Sequence, residues 1–402
     1  MIRRIAVLFC LYAGAVTADE GIPQIHISEI IPPSLAQSVS YRVVDGMLEG
    51  DHVRFRVESD FGNFTIDSIP LLISRARELS ILGRAVNQVN LQNQKTSEYT
   101  RGKYHVSADS ALDILTQPLS TASNIAGQVE RNLDNNAPSD YQESTAQYTA
   151  VSTEPVDPVF AMHKRNIASQ WGLDVYSSNT VVQKFLNDTA SARSAGKIAT
   201  GAPAMEMVDM APFKIENRDV EFKLRQLIKN NSISELEDLD NQILSGMNLN
   251  DEVRLTFLHH GMYSPRYKTA ITYYLDLLKG VVNRSAFIRM AISADSESSA
   301  LGYEVAAMML AYYHQNISPL LKLFSGNKVL QAITVDNRIL YFSTSDLIYW
   351  SGNNEMFFKT LNKHAEQAGF NGKEIITSGD FSDEASTQLQ NMGFQLRKRI
   401  IF

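Results

Sequence analysis

Residues 295–315 read DSESSALGYEVAAMMLAYYHQ, and this stretch decides the fold class. Its most apolar part, Val305 to Tyr313, is nine residues long, with Glu304 before it and His314 after it. A transmembrane helix needs about 20 apolar residues, so this pattern predicts a helix buried in a protein core. At this helical spacing Met308 and Met309 are expected in that core, although flexible methionines also line adaptable binding grooves.

Further helical patterns precede this stretch, from about residue 160 onward. Short connections between them favour antiparallel packing in a helical bundle. Ser264-Pro265 places a hydroxyl at a helix cap and a proline at the first helical position, where the missing N–H costs no hydrogen bond. Asn283 and Asp295 are also predicted caps. The predicted helices cover 217–230, 234–247, 251–260, 264–279, 283–292 and 295–315.

The residues after this helical part alternate between strand and helix patterns. Two strand patterns flank Asp336-Asn337, which predicts a hairpin. The alternation predicts a small α/β unit appended to the helices. Its predicted strands cover 329–335, 338–343, 374–377 and 394–402, and its predicted helices cover 354–368 and 382–392.

The N-terminal part shows a period of two from Tyr41 onward, with Val53, Phe55 and Val57 on one face. This period predicts a small antiparallel meander. From Pro70 the apolar period changes to three and four, which predicts a long helix packed on that sheet. Residues 21–40 are predicted to form an extended lead, and residues 108–132 one or two further helical pieces.

The predicted fold class is therefore α+β, mainly helical. A flexible linker is predicted where Asn, Ser, Thr, Gln and Pro dominate without an apolar period. The predicted boundaries are 1–18 for a signal peptide, 19–134 for a small α+β domain, 135–158 for the linker, 159–325 for a helical domain and 326–402 for the C-terminal α/β unit packed on the helical domain.

Residues 1–18 have the pattern of a secretory signal peptide. Arg3 and Arg4 give the positive start, an apolar run follows, and Val16-Thr17-Ala18 offers small residues at the cleavage site. The apolar run is about a dozen residues, too short to span a hydrocarbon core of roughly 30 Å. We expect an exported, soluble protein of the periplasm or the cell exterior, with no transmembrane segment in the mature chain.

Composition excludes several classes of site. The sole cysteine, Cys10, lies in the leader, so the mature chain would have no disulfide, thiol nucleophile or Cys-based zinc site. Loss of Arg3 and Arg4 takes the net charge from −7 to −9, which argues against a nucleic-acid partner. The patterns H-E-x-x-H, G-x-S-x-G and G-x-x-x-x-G-K-[ST] do not occur. We expect neither a metal nor another cofactor.

Two local features are candidates for ligand binding. The first is a corner between helices that carries aromatic and cationic side chains; alternatively, such side chains fill the end of a bundle with their polar tips in water. The second is the turn at 377–382, between a strand and a helix, where backbone N–H groups can hold an anion. Alternatively, Asp380 caps the helix. The candidate residues are His259, His260, Tyr263, Arg266, Ser378 and Asp380.

Three functions remain open at this point. The first is a non-catalytic binding or interaction protein whose partner is a protein or a small molecule. The second is an exported hydrolase without a local motif, with its site near the helix corner around His259 or at the turn at Asp380. It requires a deep pocket where a histidine meets a carboxylate and a serine or a bound water. The third is a structural component of the cell envelope.

Overall fold

The structure is a computed structural model that describes residues 24–100, 142–143, 155–194, 213–215, 217–326 and 329–401. Within these ranges the protein is mainly helical and carries three small sheets, so the predicted α+β class is confirmed. The predicted leader, the helical pieces over 108–132 and most of the predicted linker lie outside the described residues.

The N-terminal meander is confirmed. Strands β1 (Tyr41–Glu49), β2 (His52–Ser59) and β3 (Gly62–Asp67) pair antiparallel in sequence order, and β4 (Gln142–Glu143) pairs parallel with β3. Val53, Phe55 and Val57 of β2 are completely buried, as their period of two predicted. The long helix α3 (Ile69–Thr100) packs on this sheet.

The expectation of an extended lead is wrong at two short helices. These are α1 (Ile27–Ile30) and α2 (Pro33–Ala36). Pro33 is the first residue of α2, a position that suits its fixed φ and its missing N–H. Ile30 and Ile31 are buried against the meander core, so this segment has packing contacts that its sequence period did not reveal.

The helical middle contains each of the six helices predicted there, with ends shifted by a few residues. Ser264 caps its helix as predicted, because its hydroxyl accepts a hydrogen bond from the Tyr267 N–H at 3.2 Å. The helices are α4 (Pro158–Trp171), α5 (Thr180–Ser194), α6 (Arg218–Asn230), α7 (Ile233–Ser245), α8 (Asp251–Leu258), α9 (Pro265–Leu277), α10 (Ser285–Ala291) and α11 (Glu297–Asn316).

Two of the predicted caps are wrong. Asn283 has a φ of +60° and its amide instead donates to the Leu323 carbonyl at 2.9 Å, so its side chain joins α10 to a strand. Ser296, not Asp295, caps α11, through a capping box with Ser299.

The C-terminal part forms a five-stranded sheet in the order β11 (Gln395–Arg397), β9 (Gly372–Thr377), β7 (Arg338–Ser343), β6 (Val329–Thr334) and β5 (Leu320–Gly326). The predicted hairpin is confirmed as the antiparallel pair β6–β7, whereas β7, β9 and β11 are parallel neighbours. The elements are β5 (Leu320–Gly326), β6 (Val329–Thr334), β7 (Arg338–Ser343), β8 (Leu347–Ile348), α12 (Gly352–Gln367), β9 (Gly372–Thr377), β10 (Asp380–Phe381), α13 (Asp383–Asn391) and β11 (Gln395–Arg397).

The prediction of a final strand over 394–402 is wrong beyond Arg397. Arg399 has a φ of +48°, which ends the extended conformation, and its guanidinium reaches the Asp380 carboxylate at 2.6 Å. Ile400 and Ile401 then turn back into the main core.

The main hydrophobic core joins the meander, the helices and one face of the five-stranded sheet. It includes Phe55, Leu72, Ile271, Met309 and Leu340. Met308 and Met309 are buried in it, as predicted, and α11 packs against α3, α9 and β7. A smaller core lies on the other face of the sheet, beneath α12 and α13. The predicted domain boundaries stay predictions.

Among the described residues, no helix combines the length and the apolar character that crossing a bilayer requires.

Candidate functional site

Strands β7 and β9 are parallel neighbours, so their carboxyl ends meet at one edge of the sheet. The residues from the last position of each strand onward are alike: Ser343-Thr344-Ser345-Asp346 at the end of β7, and Thr377-Ser378-Gly379-Asp380 at the end of β9. The Ser378 N–H donates to the Ser343 carbonyl at 3.1 Å, and β8 and β10 continue the pairing. In open α/β sheets, ligands bind outside the carboxyl ends of parallel strands.

A pocket of about 510 Å³ opens beside the carboxyl end of β7. It lies between α11, on one face of the sheet, and α12, on the other, and α10 and the β1–β2 turn complete its wall. Pockets for small molecules have volumes of roughly 300–1,000 Å³. Its apolar wall includes Phe287, Met290, Tyr303, Ala306, Leu330, Phe342, Phe357, Phe358 and Leu361.

The polar groups of the pocket come mainly from the β1–β2 turn, the carboxyl end of β7 and the first turn of α11. The Ser345 hydroxyl donates to the Asp51 carboxylate, and the hydroxyls of Ser343 and Ser345 lie 2.7 Å apart. The pocket therefore has an apolar body and a polar rim. The polar residues are Asp51, His52, Ser298, Ser299, Ser343, Thr344, Ser345 and Asn354.

Asp346 holds this rim in place. Its buried carboxylate accepts hydrogen bonds from the backbone N–H groups of Val53, at 2.8 Å, and Ile69, at 2.9 Å. The N–H groups of Asp346 and Leu347 in turn donate to the Asp51 carbonyl at 2.9 and 3.2 Å. The loop after β7 is thus bound to the start of β2 and the start of α3, and Asp346 is a positioning residue.

His52 lies between two carboxylates. Its Nδ1 is 3.6 Å from the nearest Asp346 oxygen, longer than an ordinary hydrogen bond, and its Nε2 is 3.8 Å from Asp51. Burial lowers the pKa of His52, but the interaction with Asp346 and the charges of Asp51 and Asp67 outweigh it and raise the pKa to about 9.

The charge of His52 decides what this rim can do chemically. An imidazole with a pKa of about 9 is protonated at pH 7, so it cannot accept a proton from a serine hydroxyl. The Ser345 hydroxyl donates to Asp51 and not to His52, unlike the nucleophile of a Ser-His-Asp triad. The rim thus presents hydrogen-bonding and charged groups, and His52 is not arranged as the base of a Ser-His-Asp triad.

The predicted corner between helices lies elsewhere in the fold. His259 pairs with Glu237 at 3.0 Å on the surface, and the His260 ring is 3.2 Å from the Ile292 carbonyl. Tyr263 is completely buried, and its hydroxyl donates to the Ala291 carbonyl at 2.7 Å. The His259 contact joins the end of α8 to α7, and the contacts of His260 and Tyr263 reach the end of α10.

The side chain of Arg266 contacts a different helix, α11. One guanidinium nitrogen donates to both carboxylate oxygens of Glu304, each at 2.9 Å. Burial raises the pKa of Glu304 to about 6, although the charge of Arg266 opposes that shift. Arg266 also lines a second, smaller pocket of about 90 Å³, whereas the other five predicted candidates line neither pocket.

At the turn after β9, where anion binding stays a prediction, Asp380 is paired with two of the protein's own cations. Asp380 pairs with Lys398 at 2.7 Å and with Arg399 at 2.6 Å. Burial raises the pKa of Asp380. The hydrogen bonds from Lys398, Arg399 and the Phe381 N–H together lower that pKa by more, so the net shift is downward. The predicted cap at Asp380 is wrong, because Ser382 caps α13. The Ser378 hydroxyl is buried without a hydrogen-bond partner.

The candidates predicted from the sequence do not include the rim residues Asp51, His52, Ser343, Ser345 and Asp346. The available signal was the Ser-Thr-Ser-Asp stretch directly after an apolar strand, repeated in kind after β9. That signal identifies polar strand ends but not the meander turn that meets them. The pairing of Asp346 with Val53 joins positions 293 residues apart, which no local pattern reveals.

No group of three or more His, Cys, Asp or Glu side chains in the described part of the chain is arranged to hold a metal ion. No family model matches the chain, and neither a curated protein nor a solved structure is significantly similar to it.

Proposed function

We propose that this protein is an exported, non-catalytic binding protein that holds a small amphipathic molecule in the pocket beside β7. The division of this pocket into an apolar body and a polar rim carries the proposal. Binding sites for small molecules have this composition, with a few polar groups that fix the orientation of a mainly apolar ligand.

The apolar body is built largely from aromatic rings. The rings of Phe287 and Tyr303 pack edge to face with centroids 6.0 Å apart, and those of Phe357 and Phe358 do so at 5.2 Å. Rings fixed in this way lose little conformational freedom when a ligand enters. Apolar ligand surface buried against them gains about 25 cal/mol per Å², offset by the entropy lost on association.

The polar rim selects one end of the ligand. Asp51 retains about half of its side-chain exposure, at 53%, so its carboxylate is within reach of an incoming group. Ser343, Ser345 and Asn354 add hydroxyl and amide groups. A carboxylate favours hydrogen-bond donors, so the rim suits a ligand whose polar end carries a hydroxyl or an amine.

The protonated His52 favours binding over the alternative of a hydrolase. Hydrolysis by a serine needs a neutral base within hydrogen-bond reach of the hydroxyl. The residues near His259 and Asp380, which the hydrolase hypothesis names, are engaged with Glu237 and with Lys398 and Arg399 respectively. A purely structural envelope component has no need of such a pocket.

The pattern of residues 1–18 supports the export part of the proposal. Mass spectrometry of the protein purified from its natural source should find an N-terminus at Asp19. An intact Met1 terminus on cytosolic material would contradict export but would not bear on ligand binding in the pocket.

The pocket is tested with N-phenyl-1-naphthylamine, an uncharged amphipathic dye that fluoresces strongly in apolar surroundings. We expect saturable binding by the wild-type protein. Ala306→Phe places a ring in the pocket and should weaken dye binding at least tenfold, because the added side chain occupies the ligand volume. Phe357→Ala removes part of the wall and should weaken it several-fold.

Met356→Ala is the matched control. Met356 precedes Phe357 on α12, is 66% exposed and does not line this pocket. Its truncation should leave the dissociation constant within twofold of the wild-type value. Circular dichroism of each variant must retain the wild-type spectrum. Equal dye binding by the wild-type and both pocket variants would overturn the proposal.

A further inference from the structure

The smaller pocket of about 90 Å³, which Arg266 lines, is rich in positively charged side chains. Five cationic side chains line it, from four helices: Arg77 of α3, Arg165 of α4, Arg225 and Lys229 of α6, and Arg266 of α9. The chain as a whole is acidic, with a net charge of −7. The cations are therefore concentrated here against the trend of the composition.

Fewer carboxylates than cations line this pocket. The three carboxylates are those of Glu78, Asp174 and Glu221. Arg77, at 3.4 Å, and Arg225 share the single carboxylate of Glu221. Glu78 is engaged from behind by Arg75 at 3.1 Å. The wall thus presents more positive than negative groups.

Two of the lining residues, Glu78 and Arg266, pair with buried groups directly behind the wall. Arg75 is bound to Glu297 by 2.7 and 2.8 Å contacts, and Arg266 is bound to Glu304. The lining residues themselves provide five cationic side chains against three carboxylates. Burial also raises the pKa values of Asp174 and Glu304, which reduces the negative charge as the pH falls.

These guanidinium groups are largely withdrawn from water. The side chains of Arg77, Arg225 and Arg266 are only 17, 21 and 25% exposed. Withdrawing a charge from water is costly unless an opposite charge compensates it. Guanidinium groups also match the geometry of carboxylate and phosphate oxygens.

The dimensions limit the ligand. The free space of about 90 Å³ exceeds the roughly 30 Å³ that one water occupies in the liquid and admits a small multi-atom group. Gly172 follows α4 with a φ of +69° and has no side chain on the side where Arg77 and Arg225 converge. A Cβ on Gly172 would lie 3.8 Å from a terminal nitrogen of Arg77 and 3.5 Å from one of Arg225.

We propose that this arginine-lined pocket binds a small oxyanion, either free inorganic phosphate or a carboxylate or phosphate group of a small molecule. It is independent of the pocket beside β7, with which it shares no lining residue.

Isothermal titration of the mature chain with inorganic phosphate tests the proposal, with chloride at equal ionic strength as the blank. We expect saturable phosphate binding and a phosphate-dependent rise in the melting temperature. Lys229→Gln removes one lining charge and should weaken phosphate binding at least fivefold. Lys223→Gln removes the same charge from an exposed position of the same helix, outside the pocket, and should change it less than twofold.

The result is decisive in each direction. Equal weakening by Lys223→Gln and Lys229→Gln would reduce the effect to general electrostatics and overturn the site, as would the absence of phosphate binding to a folded wild-type chain. A parallel titration with acetate distinguishes the two oxyanion classes, because the class that binds more tightly identifies the group that the pocket prefers.

Discussion

Two turns of similar composition follow neighbouring parallel strands, yet only one of them opens onto a pocket. Ser343-Thr344-Ser345-Asp346 forms part of the rim beside β7, whereas Thr377-Ser378-Gly379-Asp380 is closed off by the end of the chain. The aspartate of the first turn accepts two buried backbone N–H groups. The aspartate of the second holds the side chains of Lys398 and Arg399.

The difference shows that the local sequence determines which polar groups lie at a strand end. The segment that packs against that strand end determines whether those groups line a pocket. The meander turn at Asp51 meets the first turn and leaves space between α11 and α12. Arg399 meets the second turn, and its guanidinium also donates to the Glu29 carbonyl at 2.6 Å, which joins the two ends of the described chain.

The largest effect is expected from removing the first aspartate. Asp346→Ala leaves the N–H groups of Val53 and Ile69 buried without an acceptor, which should lower the free energy of unfolding by about 3–5 kcal/mol. Asp380→Ala is the counterpart in the second turn. Since its partners Lys398 and Arg399 are 53 and 46% exposed, solvent screens these pairs and the loss should be about 1 kcal/mol. Urea denaturation measures both, and equal losses would show that the two turns are equivalent.

A smaller effect is expected where the two turns touch. A Cβ on Gly379 would overlap the backbone carbonyl of Asp346, which cannot move without disturbing the rim. Gly379→Ala should therefore destabilise the protein by roughly 1–3 kcal/mol and weaken dye binding at the pocket beside β7. Gly261→Ala is the control, because a Cβ there has no neighbour within 4 Å. The contact would be unimportant if both variants melted at the wild-type temperature.

The smallest effect is expected at His52, which lies near Asp346 of the first turn and has no counterpart at the second turn. Its folded-state pKa of about 9 lies above the ordinary value of 6.5, so its stabilising contribution is complete below pH 6.5 and is lost as the pH rises through 9. With the side chain 41% exposed, solvent screening limits this contribution to about 1 kcal/mol. The difference in unfolding free energy between wild type and His52→Gln should be largest near pH 6 and vanish near pH 10. A constant difference across that range would contradict the ion pairing with Asp346.

Much of the fold could be predicted from sequence because periodicity reports burial directly. The apolar run in α11, the alternation in β2 and the hydroxyl at Ser264 each act within a few residues. The errors fall where distant contacts decide. Arg399 leaves the extended conformation and pairs with Asp380, and Asn283 leaves its expected cap position to bind the Leu323 carbonyl.

The candidate site could not be predicted either, because it too depends on contacts between residues that are distant in sequence. Ser343, Ser345 and Asp346 stand out as polar residues after a strand, but their meeting with Asp51 and His52 depends on how the meander docks on the sheet. Of the residues chosen from the sequence, Arg266 alone lines either of the two pockets described, and it does so with charged residues from α3, α4 and α6. A helix corner gives no indication of such partners.

The carboxylate of Asp346 has a consequence for how the nascent chain matures. The N–H groups of Val53 and Ile69 emerge from the ribosome long before their acceptor, which follows 293 and 277 residues later. The meander cannot complete its hydrogen bonding until nearly the whole polypeptide has been synthesised, so the closing contact spans most of the chain. Closing a loop of this length has an entropic cost, and a product that terminates before β7 would lack the carboxylate acceptor for one amide of β2 and one at the start of α3.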